Sequence, residues 1–244
     1  MKKKFLGGLA ALALMTGSAS GEVIFSESFD NDTSFTTTAT FFSDGTADYL
    51  GLAGGVNNWG GDSNPSGIKS YTGFTGGFLT GMDLNGEGGP NTVSLNWEGI
   101  DIAGKSGLSF SGDFAEILDV GSGPDTTDFL RVEAQLDGNG YETILEFGSD
   151  IVNGVFTLGS RGSVGFIPGA ENISLGSETQ NFSASIAGTG DLLDLRFTVK
   201  ADAGSEDFAV DTFNVSAAAV PEPSSVALVA LFAFGFGVNR RRRK

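Results

Sequence analysis

The chain has 244 residues, 14 of them basic and 30 acidic, for a net charge of −16 at pH 7. It holds neither Cys nor His, which excludes disulfides, thiol or imidazole catalysis, a Ser-His-Asp triad and a zinc site of the usual ligands. The acidic balance argues against nucleic acid and anionic membrane as partners, because both are polyanions.

The N-terminus opens with Lys2-Lys3-Lys4, followed by the apolar stretch Phe5–Met15 and the small residues Ser18-Ala19-Ser20. A charged start, a short apolar run and a small-residue cleavage site make a secretory signal peptide over residues 1–20, handled by the Sec translocon. The 11 apolar residues are too few to span a bilayer.

Residues 21–217 follow as one body, long enough for a single all-β domain with its own core. The termini carry most of the cations, so the body keeps six basic against 29 acidic residues, a net of −23. No segment repeats apolar residues at helical spacing, whereas several alternate with period two. Val23–Phe29, Phe35–Phe42, Thr92–Trp97 and Leu108–Phe114 read as strands. Between them, Gly51–Gly89 holds 13 glycines and reads as long connections carrying one or two strands.

The clearest hairpin lies further on. Leu130, Val132, Ala134 and Leu136 alternate with Arg131, Glu133 and Gln135; Asp137-Gly138-Asn139-Gly140 supplies turn chemistry; Tyr141–Phe147 alternates again. Asn181–Ile186, Asp191–Lys200 and Phe208–Val215 complete about ten short strands, and the expected fold is a two-sheet antiparallel β-sandwich. No internal repeat points to a propeller or β-helix.

The hairpin from Asp128 to Leu145, the opening Phe25-Ser26-Glu27-Ser28-Phe29-Asp30 and the closing Phe208–Val215 resemble secreted jelly rolls of the MAM and concanavalin-like type. Asp211-Thr212 stands where that pattern has Asp-Asn or Asp-Asp, and the Cys residues of MAM domains are missing. The resemblance implies a jelly-roll sandwich with first and last strands adjacent. Glu27, Asp30 and Asp211 would then be placed to share a Ca²⁺ ion. Asp83-Leu84-Asn85-Gly86-Glu87-Gly88 is an Asp/Gly turn and no EF-hand, since Ser94 stands where the bidentate acid belongs.

Two further chemistries bear on function. Glu142 and Glu146 are four apart on one strand, about 13 Å at roughly 3.3 Å per residue, beyond the roughly 5–9.5 Å of a glycosidase pair. Trp59 and Tyr71, with Tyr49 and Trp97 flanking the glycine-rich region, are the aromatic candidates for stacking on sugar rings.

The C-terminus has three parts in order: Val220-Pro221-Glu222-Pro223, an uncharged stretch from Ser224 to Asn239, and Arg240-Arg241-Arg242-Arg243-Lys244. The 16-residue uncharged stretch would reach about 24 Å as a helix, short for a permanent anchor. The prolines keep the preceding peptide extended, and the basic end favours the cytoplasmic side. Residues 218–244 resemble the sorting tail of PEP-CTERM proteins. That resemblance implies transient membrane insertion, processing by exosortase, and a place at the cell surface or in an exopolysaccharide matrix. The expectation is therefore a non-enzymatic exported protein, a β-sandwich flanked by a signal helix and a short C-terminal helix. A calcium-dependent carbohydrate-binding module and a secreted polysaccharide hydrolase or lyase are the alternatives.

Overall fold

The computed structural model describes residues 21–46, 48–54, 70–86, 88–117, 123–149, 154–159 and 173–218. The signal segment and the Pro-Glu-Pro tail lie outside these residues, as do both helices expected there. Among the described residues, no helix is long and apolar enough to cross a membrane.

Among the described residues the body is all-β, as the period-two pattern requires, and its strands form two antiparallel sheets. They are β1 (Glu22–Glu27), β2 (Thr36–Thr37), β3 (Phe42–Ser43), β4 (Tyr49–Ala53), β5 (Phe78–Met82), β6 (Thr92–Asp101), β7 (Ser109–Ala115), β8 (Phe129–Leu136), β9 (Glu142–Gly148), β10 (Thr157–Leu158), β11 (Gln180–Ser185), β12 (Leu192–Lys200) and β13 (Asp207–Ala217). Sheet A runs β11-β7-β13-β5-β4-β3, with β1 also on β13. Sheet B runs β10-β9-β8-β12-β6-β2. The stretch Phe35–Phe42 is not one strand: it supplies the two-residue β2 to sheet B and Phe42 of β3 to sheet A. It crosses between the sheets, so no single face is buried along it.

The core fills the space between the sheets, because alternate residues of each strand point inward. Leu130, Val132, Leu195 and Phe197 are fully buried, while Arg131 and Arg196 on the opposite face are half-exposed. Phe213 is the hub, ringed by Phe29, Trp97, Phe110, Phe114 and Phe197 at centroid distances of 5.1–5.8 Å. The hairpin turn takes the positive φ its residues favour: Asp137 +49°, Gly138 +74°, Gly140 +101°. Asp137 Oδ1 then accepts from Asp191 N and Leu192 N, which ties the hairpin to the start of β12.

β13 is the long spine of sheet A. One edge pairs with β7; the other pairs with β5 over Asp207–Val210 and with β1 over Phe213–Ala217. The change of partner coincides with a bulge between Asp211 and Asn214, where Thr212 takes φ +53°. Asp30 fills the junction between β1 and β5: its Oδ1 accepts from Gly77 N at 2.7 Å. A Cβ at Gly77 would lie 2.4 Å from Phe29 O, so the close approach requires glycine.

Candidate functional site

The outer face of sheet B is an ordered polar surface. Cross-strand neighbours there carry opposite charge: Arg131 stands opposite Glu146, and Arg196 opposite Glu133. Arg131 Nε donates to Glu146 at 2.5 Å, and Arg196 Nε donates to Glu133 at 2.8 Å. Each guanidinium also lies on a ring. Arg131 sits 4.3 Å from the Phe129 centroid and Arg196 3.8 Å from that of Tyr141. Glu133 further accepts from Thr198 Oγ1, which hydrogen-bonds Ser94 Oγ on β6. Glu133, bonded to the guanidinium, pushes the Arg196 pKa up. The result is a band of fixed donors, acceptors and ring edges across four strands. The sequence exposed its outward residues one strand at a time; the pairing between strands, which makes them a surface, depends on register.

Glu27 and Asp30, two of the three expected calcium ligands, accept several hydrogen bonds. Glu27 is buried; its Oε1 accepts from Phe29 N, and its Oε2 accepts from Trp97 Nε1 at 3.0 Å and from Ser34 Oγ. It ties β1 to the indole of sheet B. Asp30 accepts from Gly77 N and Ser28 Oγ, and these bonds hold its carboxyl below the ordinary value. Asp211 faces Asp113 across β13 and β7. Burial pushes its pKa up to about 7, helped by the charges of Asp113 and Asp30. Among the described residues, the three carboxylates whose oxygens fall within 4.8 Å of one another are instead Asp128, Asp202 and Glu206.

That cluster lies at one end of the sandwich, where β8 starts, β12 ends and β13 starts. Glu206 Oε2 accepts from Asp202 N at 2.6 Å and Ala203 N at 2.8 Å. Lys200 Nζ lies 3.1 Å from Asp128 and 2.7 Å from Asp202. Burial, followed by a hydrogen bond to Asp128, raises Glu206 to about 8. Asp128 and Glu206 are in direct hydrogen-bond contact and buried, a geometry unlike the spaced, accessible carboxyl pair of a glycosidase. Asp202 and Glu206 share the β12–β13 connection while Asp128 precedes β8, so only the fold brings the three together.

Of the aromatic candidates, Tyr49 and Trp97 are core residues, 0 % and 2 % exposed. Tyr71 is half-buried rather than a platform. Its ring packs edge-on against Phe74 and Phe78, and its hydroxyl donates to the buried Asp207. Burial and the nearby Asp207 charge raise its pKa. Trp59 and the sorting-tail residues Val220, Pro221, Glu222, Pro223 and Arg240–Arg243 lie outside the described residues.

No protein-family model matches the chain, and no curated protein matches it in sequence. Among solved structures, it is similar to the CBM22-1 xylan-binding domain from Paenibacillus barcinonensis, at 11 % identity and TM-score 0.40, covering 84 % of this chain and 99 % of that one. It is also similar to the K3 adhesin domain of Lys-gingipain from Porphyromonas gingivalis, at 14 % identity and TM-score 0.42, over 81 % and 99 % of the two chains. A cyclase from Fischerella sp. matches at 11 % identity and TM-score 0.43, over 81 % and 98 %. These three proteins differ in what they do, and no function for this chain follows from them.

Proposed function

We propose that this chain is an exported, exosortase-processed, non-enzymatic surface or matrix protein whose jelly-roll-type sandwich contacts exopolysaccharide through the outer face of sheet B. The observation that carries the binding reading is the Arg131/Glu146 and Arg196/Glu133 ladder with its two ring-stacked guanidiniums. Sugar hydroxyls need donors and acceptors held at fixed spacing, and aromatic rings offer apolar area to sugar faces. Side chains already locked by ion pairs and ring contacts lose little entropy on binding. The ladder is also close to charge-balanced within a body of net −23, which suits an extended polymer of hydroxyls. The terminal segments supply the delivery half of the reading: export at residues 1–20 and sorting at 218–244.

Two measurements test it. Retention of the protein in gels containing neutral or uronate-bearing bacterial polysaccharides should fall about tenfold or more when Tyr141 and Arg196 are both changed to Ala. Equal retention of wild type and double variant would remove sheet B as the binding face. Intact-mass analysis of surface-exposed protein should show loss of the first ~20 residues and of Arg240–Lys244. A retained basic tail would sink the exosortase reading.

A further inference from the structure

Near the turn of the β8–β9 hairpin the sandwich is not filled between its sheets. Ala134 and Leu136 continue the inward series of Leu130 and Val132, and the register of β8 against β9 shifts between Val132 and Glu133. Beyond that shift Ala134 stands opposite Glu142, where one step deeper Val132 stands opposite Leu145. A methyl group paired with a carboxylate leaves space that two branched side chains close. A cleft of about 180 Å³ results. Its apolar lining is Ala134, Leu136, Ile144 and Ile186, all buried or half-buried, and its polar lining includes Asn139, Glu142 and Thr189. The walls are fixed by the chain itself. Asn139 N donates to Leu136 O, and Ile186 N donates to Leu108 O. Gly188, at φ +106°, comes so near that a Cβ there would lie 2.8 Å from Leu136 Cδ1. The polar groups are left available. Asn139 Nδ2 donates to Leu136 O, which leaves its amide oxygen. The side chains of Glu142 and Thr189 are exposed and bond no other described residue.

We propose that this cleft binds one uncharged pyranose residue, at a glycan chain end or side branch. The size selects a single ring: a cavity of about 150 Å³ holds one benzene molecule, and this cleft is little larger. The lining selects an amphipathic ring. A pyranose has apolar C–H faces, which suit Leu136, Ile144 and Ile186, and hydroxyls at its rim, which need fixed polar partners. Glu142 offers two carboxylate oxygens to neighbouring hydroxyls, and the Thr189 hydroxyl both donates and accepts. A wholly apolar ligand would strip water from these groups and return nothing. The charge selects against a uronate, because among the described residues that line the cleft Glu142 is the one with a charge, and it is negative. The cleft is built from the inward series of β8 and the β11–β12 connection, so it is a second site beside the outward arginine ladder of sheet B, and neither depends on the other.

The test is an NMR titration of the full chain in mild detergent, with isotope-labelled isoleucine methyl groups. The probes are the methyl glycosides of glucose, galactose and mannose, each a single neutral ring, with methyl glucuronide as the anionic control. At least one neutral probe should shift the Ile144 and Ile186 methyl signals saturably in the millimolar range, while Ile24 on β1 stays unmoved. Glu142→Gln should weaken that binding by about fivefold or more, and Thr189→Val by about threefold. Both positions are exposed, and the remaining methyl signals report that each variant is folded. The glucuronide should bind wild type about fivefold more weakly than the glucoside, and Glu142→Gln should narrow that gap. No saturable shift with any neutral probe, shifts undiminished in both variants, or a glucuronide bound as tightly as the glucoside would each overturn the proposal. The cleft is read at Ile144 and Ile186 with single rings, and sheet B by polymer retention at Tyr141 and Arg196, so the failure of one is distinct from the failure of the other.

Discussion

The two sheets treat charge on their outer faces in opposite ways. On sheet B, each central carboxylate has an arginine directly across the ladder: Glu146 with Arg131, Glu133 with Arg196. On sheet A, the same kind of position places Asp211 opposite Asp113, with no cation between the two acids among the described residues, and with Ser111, Ser109, Asn214 and Ser216 around them. Sheet B pairs its acids with arginines. Sheet A moves its acid toward the neutral form, with Asp211 raised to about 7. With six cations for 29 acids in the body, only some carboxylates can be paired, and the rest are managed by protons, backbone donors or solvent.

The largest effect that would break this comparison comes from removing one arginine. Arg196→Met leaves the buried Glu133 with Thr198 alone, and the expected loss is about 3 kcal/mol of stability in urea unfolding. Adding Glu133→Gln should restore most of it, because the penalty is the unpaired charge rather than the missing bond. A loss that the second change does not relieve would mean that Arg196 acts through its packing on Tyr141.

A smaller effect is expected at Tyr71, which marks how sheet A handles a wholly buried acid. The hydroxyl donates to Asp207, which also accepts from Ile117 N at 2.9 Å. Tyr71→Phe removes one donor to a buried carboxylate and should lower stability by about 1–2 kcal/mol. No change in the unfolding midpoint would show that the remaining partners of Asp207 suffice.

The architecture was legible in the sequence because period-two alternation is a local signal. The Asp128–Leu145 hairpin and the burial of Leu195 and Phe197 rest on residues next to one another in the chain, whereas the adjacency of first and last strands comes from the jelly-roll resemblance alone. The site was less legible, for a physical reason. Whether Glu133 meets Arg196, or Asp211 meets Asp113, depends on register between strands far apart in sequence. Composition also misleads about aromatics: Trp97 and Tyr49 look like surface platforms beside a glycine-rich stretch but are buried. Glu27, expected as a cation ligand, also accepts from the Trp97 indole, a role that only the packing reveals.

Thr212 is a place where the sequence departs from the jelly-roll pattern and the backbone shows the consequence. A β-branched residue at φ +53° is strained, and the bulge that imposes it lies where β13 exchanges β5 for β1. Asn tolerates this conformation, so Thr212→Asn is expected to raise stability by about 1 kcal/mol. A lower unfolding midpoint would mean that the Thr212 side chain contributes more to the junction than its backbone strain removes.

The smallest effect at acid pH, and the most specific to sheet A, belongs to Asp211. Its ordinary value of 3.8 is raised to about 7, first by burial and then by Asp113 and Asp30. Between those two values the folded state holds more protons than the unfolded state, so this group makes stability fall as pH rises from 3.8 to about 7 and adds no slope outside that window. Asp211→Asn keeps an acceptor for Thr212 N and has no charge to lose. The two proteins should therefore unfold at similar midpoints near pH 3.5–4, and the variant should become the more stable one as pH passes about 7. Only the difference between the two curves isolates the residue, because Glu206 and Glu116 titrate with the same sign in wild type. The measurement is made in EDTA and repeated in calcium. In EDTA, a flat difference curve would remove the like-charge account of this face. A variant that is less stable than wild type only when calcium is present would instead place a cation at the junction of the first and last strands, and sheet A would then pair its acids after all, with an ion in the role that arginine plays on sheet B.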